Sequence, residues 1–138
     1  MNDIRILVAI DFGTTYSGFA PGREGVPKAP TALLYDEGYE KVTSWGNLAL
    51  EEEPDEVDDD SEERPRPVEL FKLHISNLRK RDKPWLPPQL DYLRAIEDYL
   101  TQMRELIQKT LEKRWPTVKF PQQVDFVLTI PAEWVCDN

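Results

Sequence analysis

The sequence predicts an α/β fold: a mixed sheet with hairpin strands, one long helix, and a return strand running parallel to the first. Three observations carry this. Ile4 to Ile10 is a short β-branched run ending at a glycine-bearing turn, the pattern of a strand buried on both faces. Val124 to Ile130 is a second, largely apolar run closed by Pro131, which cannot donate to a sheet ladder. A stretch of helical period lies between them, and a helix joining two buried strands is the usual crossover of a parallel pair.

After the first strand, Tyr16 to Ala20 and Thr31 to Tyr35 are the next strand candidates. Pro21-Gly22 and a loop with further Gly and Pro separate them, as hairpin connections require. Lys41 to Trp45 adds another extended piece. The segment 51–67 then predicts a mobile surface loop: Glu51 to Glu63 holds ten acidic residues and no Lys or Arg, and Arg64-Pro65-Arg66-Pro67 follows without apolar periodicity. Beyond Pro87-Pro88, apolar residues recur at Leu93, Ile96, Leu100, Met103, Ile107 and Leu111, one stripe of a long helix. Glu105 and Lys109 are oriented for an i,i+4 pair worth a few tenths of a kcal/mol, and Pro116 stops the helix just past Trp115. About three heptads without a second copy favour core packing over a coiled-coil seam.

The 138 residues form one domain by length, able to bury about two-thirds of the surface of the unfolded chain. The net charge of -9 is local: outside Glu51 to Glu63, 17 basic residues meet 16 acidic ones. A near-neutral body excludes nucleic acid as the expected partner, since phosphate backbones need clustered, uncompensated cations. The one dense basic cluster, Arg79, Lys80, Arg81 and Lys83, reads as a solvated loop flank beside Pro84. No membrane association is expected, because Ile6 to Ile10 is far too short to span a bilayer and Asp3 and Asp11 flank it. Cys136 is the only cysteine, which rules out an intrachain disulfide and fits a reduced, cytoplasmic setting.

Chemistry concentrates at the end of the first strand, where open α/β sheets place ligand sites. A carboxylate at Asp11 suits Mg²⁺ held through its water shell beside substrate phosphates. Gly13 permits a tight turn and close backbone approach, while Thr14 and Thr15 offer amides and hydroxyls to phosphate oxygens, an anion cradle without a Walker lysine. By residue type alone, the same stretch is equally a plain hairpin turn. A protein-kinase metal triplet is excluded, because the lobe and His-Arg-Asp loop that precede it cannot fit before residue 11. His74 has no Cys or carboxylate at ligand spacing and is expected to be packed or exposed, and Cys136 has no neighbouring base. Trp45, Trp85, Trp115 and Trp134 are expected to anchor the core.

Ile10 to Ser17, reading Ile-Asp-Phe-Gly-Thr-Thr-Tyr-Ser, resembles the first phosphate motif of the seventy-kilodalton heat-shock chaperones and departs from it only at Phe12. Three landmarks follow in the family's order. Ser44-Trp45-Gly46 resembles the Trp-Gly step of the divergent chaperone-like branch, Phe71-Lys72-Leu73 its lysine-bearing segment, and Val127 to Ala132 the strand before the second catalytic stretch. The resemblance implies the first lobe of a ribonuclease-H-like, actin-like ATPase domain, with ATP or ADP and Mg²⁺ as ligands. It implies Asp11 at the metal, Gly13, Thr14, Thr15 and Tyr16 at the phosphates, and Lys72 orienting the attacking water and the γ-phosphate. A lysine between Phe and Leu is otherwise a snorkelling surface residue.

In the family, the second phosphate motif, the adenosine motif and the peptide-binding domain lie further on than Asn138. The chain is therefore expected to be the N-terminal part of such a domain, weakly active or inactive alone, with client proteins and co-chaperones as partners of a full-length form. Two other classes stay open. A sugar kinase also opens with Asp-x-Gly-Thr-Thr, although Tyr16-Ser17 and Ile130-Pro131-Ala132 favour the chaperone side. A nucleotide-independent interaction module would work through the acidic loop.

Overall fold

The computed structural model describes residues 3–22, 25–51 and 65–129. All of the acidic run except Glu51 lies outside them, as do Arg64, Ile130-Pro131-Ala132, Trp134 and Cys136. In chain order the strands are β1 (Ile6–Phe12), β2 (Tyr16–Pro21), β3 (Ala29–Pro30), β4 (Ala32–Tyr35), β5 (Val42–Trp45), β6 (Val68–Glu69) and β7 (Val124–Leu128). Helix α1 (Asn47–Glu51) follows β5, and α2 (Tyr92–Arg114) precedes β7.

The architecture is mixed α/β, and the predicted parallel return is present: β7 runs beside β1 with Ile6 opposite Val124 and Ile10 opposite Leu128. The first sheet has the order β3-β2-β1-β7. A second sheet, β5-β4-β6, was not anticipated. The candidate Thr31 to Tyr35 is the point of divergence. Pro30 ends β3 without an amide to offer, Thr31 is buried and gives its own amide to the Thr15 carbonyl (2.8 Å), and Ala32 onward pairs elsewhere. Gly46, at φ +64°, turns the chain from β5 into α1, a backbone setting that side chains other than glycine rarely adopt.

β1 is buried on one face, not both. Ile6, Val8 and Phe12 are buried, whereas Leu7 between them is 53% exposed. The inward set packs with the α2 residues Tyr99, Met103, Ile107 and Leu111 in one core, and Gly25, Val26 and Lys28 line a groove with Ala9 and Asp11 of the other face.

Helix α2 begins where the Asp91 carboxylate accepts the Leu93 amide (3.0 Å) and ends one residue before Trp115, ahead of Pro116. Its buried row is Ala95, Tyr99, Met103, Ile107 and Leu111, each four residues on from the last, the ridge that helices commonly present to a neighbour. Leu93 is 58% exposed, and Ile96 and Leu100 flank the row partly buried. The expected stripe holds at Met103, Ile107 and Leu111 and is displaced only in the first half of the helix, where a small Ala and a Tyr with a polar tip hold core places that hydrophobicity alone assigns to Leu. The i,i+4 ion pair on this helix joins Arg94 and Asp98 (3.6 Å), while Glu105 and Lys109 do not meet. Among the described residues no helix is long and apolar enough to cross a membrane.

Tyr99 is the centre of the core. Its ring lies 5.8 Å from Phe12, 6.1 Å from Phe71 and 5.5 Å from Trp45. Trp45 thus packs as expected, but Trp85 and Trp115 are exposed, the former beneath Arg66 at 4.5 Å.

Two buried phenols give the fold a defined alkaline limit. Burial, and then its hydrogen bond to Asp98 (2.7 Å), pushes the Tyr35 hydroxyl far above the ordinary range, and burial raises Tyr99 as well. Unfolded tyrosines release their proton near pH ~10, so above that pH the unfolded chain binds fewer protons than the folded one and stability falls. It is intact below pH ~10 and lost as pH rises toward the folded values, by up to about 1.4 kcal/mol per pH unit for each phenol. Urea midpoints taken between about pH 8 and 11 should fall steeply for the wild type and less steeply for Tyr35→Phe. Equal slopes would exclude Tyr35 as a source.

Candidate functional site

Strand alternation builds the site. It turns Phe12 into the core, between Phe71 (6.4 Å) and Tyr99, and leaves Asp11 on the opposite, exposed face. The chain then turns through Gly13, Thr14 and Thr15 into β2. A Cβ at Gly13 would lie 2.1 Å from the Tyr16 carbonyl oxygen, so only glycine lets the turn close this tightly.

Two buried hydroxyls tie the turn from beneath. The Gly13 amide donates to Ser17 Oγ (3.1 Å), Thr31 Oγ1 donates to the Gly13 carbonyl (2.9 Å), and the two hydroxyls lie 2.6 Å apart. Neither was singled out by sequence. Ser17 lies within the motif, but Thr31 reads as part of a strand, and nothing local signals that its side chain reaches back to Gly13. With Gly13 held in this way, the amides and hydroxyls of Thr14 and Thr15 have no hydrogen-bond partner among the described residues. They are the groups this turn leaves available to an anion.

Lys72 is not a snorkelling surface residue. It is 6% exposed, and its Nζ donates to the Phe12 carbonyl and lies 5.3 Å over the Phe12 ring. Leu70, in the left-handed region at φ 56°, directs the chain into the single-turn helix Phe71–Ile75 that carries Lys72 inward. The structure thus brings Asp11, Gly13, Thr14, Thr15 and Lys72 to one end of β1. The Tyr16 side chain is 55% exposed on the Asp11 face, and its carbonyl oxygen closes against Gly13.

Asp11 is not alone. Lys28 Nζ forms an ion pair with its Oδ2 at 2.7 Å, and Thr129 Oγ1 approaches Oδ1 at 3.4 Å. The Lys28 ammonium holds the Asp11 carboxyl below its usual range, with smaller help from Thr129 and Lys72 against the opposing effect of burial. Lys28 was not a predicted site residue, since 17 residues separate it from Asp11. A groove of about 200 Å³ lies beside this pair, lined by Ala9, Gly18, Ala20, Val26 and Thr129 among others.

Among the described residues no three His, Cys, Asp or Glu side chains form a metal-holding group. The donor set fits Mg²⁺ only as an ion that keeps its waters and is held through them by one carboxylate, Asp11. His74 is packed as expected, stacked on Tyr92 at 5.8 Å with a ring nitrogen 2.9 Å from the Pro84 carbonyl. The basic cluster is partly compensated, by Arg79 on Asp82 (2.8 Å) and by Lys83 donating to the His74 carbonyl (3.3 Å). Compared with known protein families, curated proteins and solved structures, the chain matches none.

Proposed function

We propose that the chain binds a nucleoside polyphosphate, ATP or ADP with Mg²⁺, at the β1–β2 turn, as the phosphate-gripping part of an actin-like ATPase of the heat-shock-chaperone type. The single observation that carries this reading is the placement of Lys72. Lys72 is buried and donates to the Phe12 carbonyl, so it brings a positive charge to the residue that opens the glycine turn. A plain hairpin turn requires neither the lysine nor the hydroxyl pair under Gly13.

In this reading the amides of Thr14 and Thr15 face the phosphates, while Gly13, its amide held by Ser17, shapes the turn that presents them. Lys72 supplies positive charge beneath the turn, and Asp11 holds the metal through its waters. When bound, Mg²⁺ neutralises phosphate charge, on which phosphoryl-transfer chemistry depends. The proposal is for binding, because the described residues provide one turn and one lysine rather than a clamp closed from two sides. The chaperone side of the reading, with client proteins and co-chaperones as partners of a full-length form, rests on the sequence resemblance alone.

Isothermal titration of Mg-ATP should give saturable heat with the wild type, and a matching rise in thermal midpoint, as any ligand selective for the folded state produces. Lys72→Met should weaken binding by about tenfold or more, since hydrogen bonds to charged groups are worth roughly 1.5–3 kcal/mol. Absence of both heat and thermal shift with the wild type at saturating Mg-ATP sinks the reading.

A further inference from the structure

We infer that Lys28 is a further residue of this site, a built-in cation that occupies Asp11 in the ligand-free chain and yields it to a divalent metal arriving with a polyphosphate. The inference rests on the nucleotide reading above and adds the reason why Asp11 would take metal together with phosphate in preference to metal alone.

Three features place Lys28 for this. First, its backbone is held: β3 begins at the next residue and pairs with β2, Ala29 opposite Ser17 and Pro30 opposite Tyr16. Second, its stem lies across Gly18, where a Cβ would come within 3.1 Å of Lys28 Cγ and 3.5 Å of its Cα. Gly18 in turn stands opposite Asp11 in the β1–β2 register, so the bare backbone at 18 lets the lysine cross from β3 to Asp11. Third, the ammonium ends 2.7 Å from Oδ2 while Thr129 approaches Oδ1, so both carboxylate oxygens face protein groups.

The pair is also easily exchanged. Lys28 and Asp11 side chains are 59% and 51% exposed, and ion pairs so well hydrated contribute little. Among the described residues a bare dication has no three-ligand group to compensate for displacing Lys28. A dication carried by polyphosphate brings its own oxygen ligands. The ammonium it displaces stays tethered at β3, beside the turn, where the incoming anion gives it a new partner.

The test uses the full chain and reads the site by residue, so that metal bound to the acidic run at 51–63 does not count. Mn²⁺ alone is titrated while the broadening of the Gly13 and Thr14 amide signals is followed by nuclear magnetic resonance. Lys28→Met should lower the Mn²⁺ concentration for half-broadening by about 2- to 5-fold, the range expected from removing an exposed competitor. Lys28→Arg should keep the wild-type value, and Asp11→Asn should remove the effect in either background. Magnesium tripolyphosphate, titrated calorimetrically, should bind Lys28→Met more weakly than the wild type. No gain in Mn²⁺ affinity on Lys28→Met overturns the inference even if Mg-ATP binds the wild type. A gain with no binding of Mg-ATP or tripolyphosphate upholds Lys28 as the occupant of Asp11, overturns its exchange with polyphosphate, and sinks the nucleotide reading.

Discussion

Gly13→Ala should remove Mg-ATP binding altogether and destabilise the chain. The added methyl would sit 2.1 Å from the Tyr16 carbonyl oxygen and 3.3 Å from its carbon, both backbone atoms of the same hairpin, so no side-chain rotation relieves the clash. The turn must open. Opening it pulls the Gly13 amide from Ser17 and the Gly13 carbonyl from Thr31, and leaves two buried hydroxyls short of partners. Forced overpacking costs roughly 1–3 kcal/mol, and each abandoned buried group adds about 1–3 kcal/mol where the chain does not relax. The phosphate amides lose their arrangement in the same movement. Gly25→Ala is the matched control, because a Cβ there meets nothing within 4 Å. Calorimetric titration and urea unfolding of both variants decide the matter, and a Gly13→Ala chain that binds Mg-ATP like the wild type would overturn the assignment of the turn.

The same residues show how far sequence carries. The pairing of β1 with β7 was legible because two apolar runs, each ended by a breaker, flank a helix. Its one-sided burial was not, since Leu7 is as apolar as its buried neighbours and only the position of α2 decides which of them is covered. Asp11, Gly13, Thr14 and Thr15 could be named from their spacing because they fall within one five-residue stretch. Lys72 could be named only through a family resemblance, and its burial depends on a left-handed Leu70 that no propensity favours. Lys28 and Thr31 reach the turn across strand pairings rather than along the chain. Their roles become visible only when β3 lies beside β2, and no local pattern encodes a contact between residues 17 or 18 positions apart.

Tyr99→Ala should be the most destabilising single substitution in the core, and its effect should reach the site. Tyr99 is fully buried, touches Phe12, Phe71 and Trp45 through its ring, and donates to the Pro30 carbonyl at 3.1 Å. Truncating a large buried aromatic costs roughly 3–5 kcal/mol, a large share of the roughly 5–15 kcal/mol that holds a domain folded. Phe12 carries the end of β1 and Phe71 precedes Lys72, so one ring supports both halves of the proposed phosphate site from below. Tyr99→Phe keeps that support and removes only the hydrogen bond, at a cost of about 0.5–1.5 kcal/mol. Tyr99→Ala should therefore lower the urea midpoint by several times the shift of Tyr99→Phe. Under conditions where both variants are folded, it alone should perturb the Gly13 and Thr14 amide resonances. Equal loss of stability in the two variants would place the contribution of Tyr99 in its hydroxyl and leave the turn without aromatic support.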